Sequence, residues 1–271
     1  GFDRIECTSR AVESVASAHL YKYNNGQKLV ISSSCPTIVN LIEKYYPDLI
    51  PLLAPIKSPV VAHGEILNKE YPNGATVIFI SPCIAKKEEI QDTRVAANIT
   101  FRELEEWMEK ENLYWDRISP IKDERVFYTY SRNSSLFPLV GGLMKKVGLS
   151  GDAIAKEIIS VSGVENAINL LDLIRAGKLT TGFIEMLGCE GGCVSGPARP
   201  LEEQNKTSFE LKNKLIKCVE EAEEYSETIE LKEDELYQTY KDKSISYIVP
   251  TKEQIKAVLE QIGKTKPEDE H

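Results

Sequence analysis

The feature that most constrains the fold is a set of three cysteine-bearing turns, each following directly on an apolar run. They are Ile31-Ser32-Ser33-Ser34-Cys35-Pro36, Ile80-Ser81-Pro82-Cys83 and Glu185-Met186-Leu187-Gly188-Cys189-Glu190-Gly191-Gly192-Cys193. In a parallel sheet the carboxyl ends of the strands gather on one edge, where ligands bind, so cysteines far apart in sequence can converge there. Four thiolates from three strand ends suit tetrahedral sulfur coordination, which fits zinc or an iron–sulfur cluster. Structural zinc sites usually come from two close cysteine knuckles. Here only Cys189 and Cys193 are close, so the spacing favours iron–sulfur and leaves zinc as the alternative. Gly188, Gly191, Gly192 and Gly196 remove side-chain bulk where backbone must approach an inorganic group and offer amides to sulfur. Pro36 and Pro82 stiffen the other two turns.

Strand-like runs at Lys28–Ser32, Thr76–Ser81, Glu157–Val161 and Gly182–Leu187 alternate with helical periodicity over 9–23, 36–46, 60–70, 101–111, 135–147, 164–176 and 208–225. This alternation predicts an α/β architecture with largely parallel sheets flanked by helices. The cysteine turns fall in a region of about 1–200, in two lobes. Residues 201–263 are rich in Lys and Glu, predict solvent-facing helices packed on the same domain, and end in a helix over about 251–262. Residues 264–271 read as a charged tail, and the whole is expected to be a piece of a longer protein.

At 271 residues the chain can bury a sizeable core, and its formal net charge of -9 argues against a nucleic-acid partner, whose binding normally needs a basic face. There is no apolar run of membrane-spanning length and no signal-peptide pattern, so a cytoplasmic protein without membrane contact is expected. Six cysteines are too few for a disulfide scaffold and read better as metal ligands or reactive thiols. Cys7 and Cys218 stand alone on predicted amphipathic helices and read as small buried side chains.

The three turns, in their order, resemble the catalytic domain of iron-only (FeFe) hydrogenases, whose signatures are T-S-C-C-P, M-P-C-x-x-K-x-x-E and E-x-M-x-C-x-x-G-C. Here they read Ser32 to Pro36, Ser81 to Glu89 and Glu185 to Cys193, with further matches at Lys57-Ser58-Pro59 and at Phe137 with Gly141-Gly142. The resemblance implies the large-subunit fold of that family, two lobes with the cofactor in the cleft between them. It implies a 4Fe-4S cluster on Cys35, Cys83, Cys189 and Cys193, the last also bridging to a diiron subcluster with CO, CN and dithiolate ligands. Lys86 would hydrogen-bond a cyanide, as its charge suits, and Ser58, Phe137, Pro138 and Leu187 would line the pocket.

Departures from the signatures refine that expectation. Family members carry a cysteine just before the first ligand as proton donor, and this chain has Ser34, whose hydroxyl hardly ionises near neutral pH. Positions of the usual proton path align with His19, Lys22 and Ala54, and the usual methionines are replaced by Ser81 and Leu187. The resemblance places the family's first core strand just ahead of residue 1, so that either this strand lies outside these residues or the lobe is rearranged. These features resemble the divergent sensory branch: slow, reversible conversion of H2 to protons and electrons, coupled to ferredoxin-like and signalling domains outside the chain and dependent on hydrogenase maturation proteins. The alternative is a non-enzymatic 4Fe-4S-binding, hydrogenase-like protein of iron–sulfur assembly.

Overall fold

Short apolar runs closed by turn-forming residues make the strands, and the turns that follow them place the cysteines. In the computed structural model, which describes residues 2–114, 117, 126–127, 132–145, 158–222, 231–245 and 250–264, the strands are β1 (Ile5–Glu6), β2 (Leu29–Ile31), β3 (Val77–Ser81), β4 (Val95–Thr100), β5 (Val126–Phe127), β6 (Ile158–Ser162) and β7 (Gly182–Leu187). Among the described residues the strands pair in parallel, in a three-stranded sheet of order β2-β7-β6 and two pairs, β3-β4 and β1-β5, while a single antiparallel bridge joins Ile56 to Tyr237. The helices are α1 (Ser9–Asn24), α2 (Pro36–Tyr45), α3 (Pro59–Glu70), α4 (Lys86–Glu89), α5 (Phe101–Lys110), α6 (Arg132–Ser135), α7 (Gly142–Lys145), α8 (Val164–Arg175), α9 (Ser208–Glu221), α10 (Glu233–Leu236) and α11 (Lys252–Gln261).

β7 is buried along its whole length because it is the middle strand and both of its faces are covered, which is why it reads as a near-continuous apolar run. Its side chains alternate between two cores. Phe183 packs with Val30 against Ala11, Val12, Val15 and Ala16 of α1. Ile184 and Met186 pack with Ile31 against Ile38 and Ile42 of α2 and Leu171 of α8. The β3-β4 pair carries a smaller cluster with Val60 of α3, Ile90 and Val95, and four of the five β3 residues are only half-buried. Near β1, burial would raise the Glu6 carboxyl, but a hydrogen bond from His63 and the charge of Arg10 hold it down at about 2.

The α/β class and the parallel sheets agree with expectation, and three differences have physical causes. Val95–Thr100 forms a strand that its Ala and Asn content did not announce; it is held by pairing with β3. The helix expected over 135–147 is instead two single turns, α6 and α7, separated by a bend around Pro138, which cannot continue a helix; residues 146 and 147 lie outside the described residues. The region after Pro200 is not simply a solvated face. Residues 231–245 run back as a strap: Lys57 N donates to Leu236 O at 2.7 Å, Gln238 N to Pro55 O at 2.9 Å and Lys241 N to Glu43 Oε1 at 2.8 Å. Cys7 and Cys218 also depart from expectation. Cys7 precedes α1 and is half-buried, while Cys218 is exposed on the outer side of α9.

Candidate metal centre

The first turn continues β2. Ser32 N donates to Ile184 O at 2.8 Å, and Cys35 then serves as N-cap of α2 with Pro36 in the first turn, where its missing N–H costs nothing. Ser33 Oγ donates to Ile56 O at 2.7 Å, and the Ser33 amide faces His19 Nε2 at 3.4 Å. His19 is fully buried, and burial drives its pKa down to about 4, so the ring is neutral and Nδ1 donates to Val15 O at 2.8 Å. The ring is therefore a bracket for the turn. Of the other positions aligned with a proton path, Lys22 is exposed and Ala54 is buried without a polar group. Ser34 accepts from Ser32 Oγ at 3.3 Å and is half-buried beside Cys35.

The second turn leaves β3. Ser81 Oγ accepts from Cys83 N at 3.2 Å and donates to Asn98 Oδ1 at 3.1 Å, while Asn98 Nδ2 donates to Cys83 O at 2.9 Å. The unanticipated strand β4 thus holds both sides of the Cys83 turn. Lys86, buried at the start of α4, donates to Ser58 Oγ at 3.1 Å and pairs with Glu89, to which Ser58 also donates at 3.0 Å.

The third turn is drawn onto the other segments at its glycines. Gly192 has φ +100, and a Cβ there would lie 2.5 Å from Pro138 O; a Cβ at Gly196 would lie 2.6 Å from Pro82 O. Only glycine allows these approaches. Cys193 N donates to Pro138 O at 2.7 Å, Ala198 N to Pro82 O at 3.1 Å and Gly188 N to Cys35 Sγ at 3.4 Å. The glycines expected to admit an inorganic group act mainly to join the three turns, and one of their amides does reach a sulfur. Leu187 and Cys193 pack with Cys35 in the same apolar cluster, and Phe137 packs on the α1 core beside Pro138.

The result is a set of four cysteines that feel one another. Burial pushes the Cys193 thiol well up, with Cys35, Cys189 and Cys83 adding to the effect and Lys86 opposing it. Burial together with Cys35 and Cys83 holds Cys189 up at about 11. Cys83 is likewise raised, by burial first and Cys35 in addition, against the Lys86 charge. Packing four thiols this way disfavours their ionisation unless a cationic centre is bound among them. Among the described residues no three His, Cys, Asp or Glu side chains are close enough to grip a single metal ion. A set of four separated sulfurs suits a cluster, where each iron takes one thiolate, better than one tetrahedral ion.

Sequence reasoning missed Tyr240. The strap brings its hydroxyl to donate to Ile56 O at 3.0 Å, the carbonyl that Ser33 also uses, and the side chain packs on the cluster containing Cys35. Burial raises its phenol strongly, with Glu89 and Glu43 adding to the rise and Ser33 opposing it. The Tyr-x-x-Tyr spacing within a Lys/Glu-rich stretch was the available signal.

Parallel α/β layers that bring four cysteines, Cys35 buried and the other three half-buried, to turns at strand ends fit a hydrogenase-like iron–sulfur domain. Residues 1–197 match the family described as iron only hydrogenase large subunit, C-terminal domain, and the chain belongs to that family. It is 25% identical over 232 residues to the periplasmic Fe hydrogenase large subunit of Nitratidesulfovibrio vulgaris, covering 66% of this chain and 55% of that protein. It is 25% identical over 222 residues to iron hydrogenase 1 of Clostridium pasteurianum, covering 65% and 39%. A probable cytosolic Fe-S cluster assembly factor of Anopheles gambiae is 23% identical over 268 residues, covering 78% and 54%. The chain thus spans about half or less of these relatives. Solved FeFe-hydrogenase structures share the fold, one with a TM-score of 0.65 at 15% identity, covering 90% of this chain and 86% of that one, and HydA1 from Chlamydomonas reinhardtii with 0.62 at 17%, covering 90% and 86%. No helix among the described residues is long and apolar enough to cross a membrane.

Proposed function

We propose that Cys35, Cys83, Cys189 and Cys193 hold a 4Fe-4S cluster and that the domain belongs to a slow, hydrogen-sensing FeFe hydrogenase. The observation that carries this reading is the joining of the cysteine turns by close contacts, with Gly188 N donating to Cys35 Sγ at 3.4 Å, Ala198 N to Pro82 O at 3.1 Å, and Cys193 packing in the cluster that contains Cys35. Cys193, packed with Cys35 in the same apolar cluster, would also hold a diiron subcluster with CO, CN and dithiolate ligands, which would supply the reversible conversion of H2 to protons and electrons. Lys86, held by Ser58 and Glu89, offers its ammonium to a cyanide; Ser58, Phe137, Pro138 and Leu187 exclude water from the pocket. The Ser34 hydroxyl can relay a proton but hardly gives up its own near neutral pH, which makes turnover slow. Electrons pass to a ferredoxin-like domain, and signalling domains and maturation proteins complete the system in the cytoplasm.

Infrared spectra of the matured, full-length protein test this. Bands of metal-bound CO and cyanide are expected, with iron and sulfide at about four per cluster-bearing chain before maturation. Ser34→Cys should raise turnover. Absence of those bands in a matured protein that does hold a 4Fe-4S cluster would establish the second reading, a cluster-binding protein without hydrogenase activity. That reading is favoured by the assembly-factor relatives and by Ser34.

A further inference from the structure

The pocket contains an ion pair that thiolate ligation does not require. Lys86 and Glu89 leave only 10% and 9% of their side chains exposed, three residues apart on α4, and Ser58 from α3 bonds to both. Burying a carboxylate is costly even when it is paired, and an apolar side chain at position 89 would avoid that cost. The two charges are not placed symmetrically. Lys86, three residues beyond Cys83, is the cation whose charge acts on both Cys83 and Cys193, the cysteines of two different turns, whereas the Glu89 charge acts on Tyr240.

We propose that Glu89 is a positioning residue that sets the electron affinity of the cluster, by fixing the Lys86 ammonium together with Ser58 and offsetting part of its positive charge. This rests on the cluster reading above. Reduction by one electron adds one negative charge to the pocket, which a nearby cation favours and an anion opposes, and the low dielectric of a buried wall strengthens both effects. Lys86 is the member of the pair that acts on Cys83 and Cys193, so the native pair leaves a net positive influence on the sulfurs. Removing the Glu89 charge enlarges it, and removing both charges abolishes it.

The test uses the full chain with its 4Fe-4S cluster reconstituted and no diiron unit, titrated with mediators and followed by electron paramagnetic resonance. Glu89→Gln should shift the midpoint potential positive of the native protein, Glu89→Asp should restore it most of the way, and Lys86→Met/Glu89→Gln should lie negative of native. A merely structural role for Glu89 would lower thermal stability without this charge-ordered series. A Glu89→Gln potential equal to or below native overturns the proposal. Should that variant not retain its cluster, the double variant decides, and a potential at or above native overturns the proposal. Native protein that takes up no iron and sulfide would instead sink the cluster reading itself.

Discussion

The three-stranded sheet and the β3-β4 pair each deliver cysteines to one pocket, but they are built to different standards. β2 and β7, which lead to Cys35, Cys189 and Cys193, are buried at every position, between helices on both faces. β3, which leads to Cys83, is half-buried over four of its five residues, and its turn is held by side-chain bonds through Ser81 and Asn98. Three of the proposed ligands thus stand on packing and the fourth on hydrogen bonds. A cluster held from two such sides would be gripped firmly by one, and the other would be the natural place for it to enter and leave.

The largest effect should come from the packed side. Phe183→Ala, at a fully buried position in β7, should cost about 3–5 kcal/mol in the metal-free protein, while Phe79→Ala in β3 should cost about half as much. Denaturant unfolding under anaerobic conditions measures both, and equal losses would break the comparison. Next comes the polar weak point of the packed side. Glu185 lies buried in β7, where burial, opposed by the Leu143 and Met144 amides, holds its carboxyl up at about 7. A raised folded-state pKa means that its contribution is complete below the ordinary value of 4.5 and is lost as pH rises through about 7. Glu185→Gln should therefore flatten stability between about pH 5 and 8 and gain on the order of 3 kcal/mol relative to native at the upper end. An unchanged slope would remove Glu185 from the account. The smallest effect should appear on the hydrogen-bonded side. Asn98→Ala should cost about 1–2 kcal/mol of stability yet speed iron loss to a chelator several-fold, because it frees the Cys83 turn. Unaltered chelation kinetics would deny the gate.

Most of the scaffold was legible because apolar periodicity survives in linear sequence. β7 matches Gly182–Leu187 residue for residue, and α1, α2, α3 and α8 start and end close to the expected limits. β4 was not legible, since Val-Ala-Ala-Asn-Ile-Thr has little strand character and depends on β3 for its conformation. The pairing of Lys86 with Glu89 is a local spacing on one helical turn and could be read. The bracket of His19 on Ser33 spans 14 residues, and that of Tyr240 on Ile56 spans 184; neither leaves a local pattern.

By itself the sequence determined the class of fold, the family, and the order of three turns that carry Ser34 and four cysteines after apolar runs. These depend on residue type, order and local periodicity, all of which are properties of the linear chain. Only the tertiary structure decided that the four cysteines follow strands of two unequal sheets, that glycines join the turns by close approach, and that a strap from beyond residue 230 packs beside Cys35. Those outcomes depend on contacts between segments whose proximity is set by packing of the whole domain, and no local stretch of the chain encodes them.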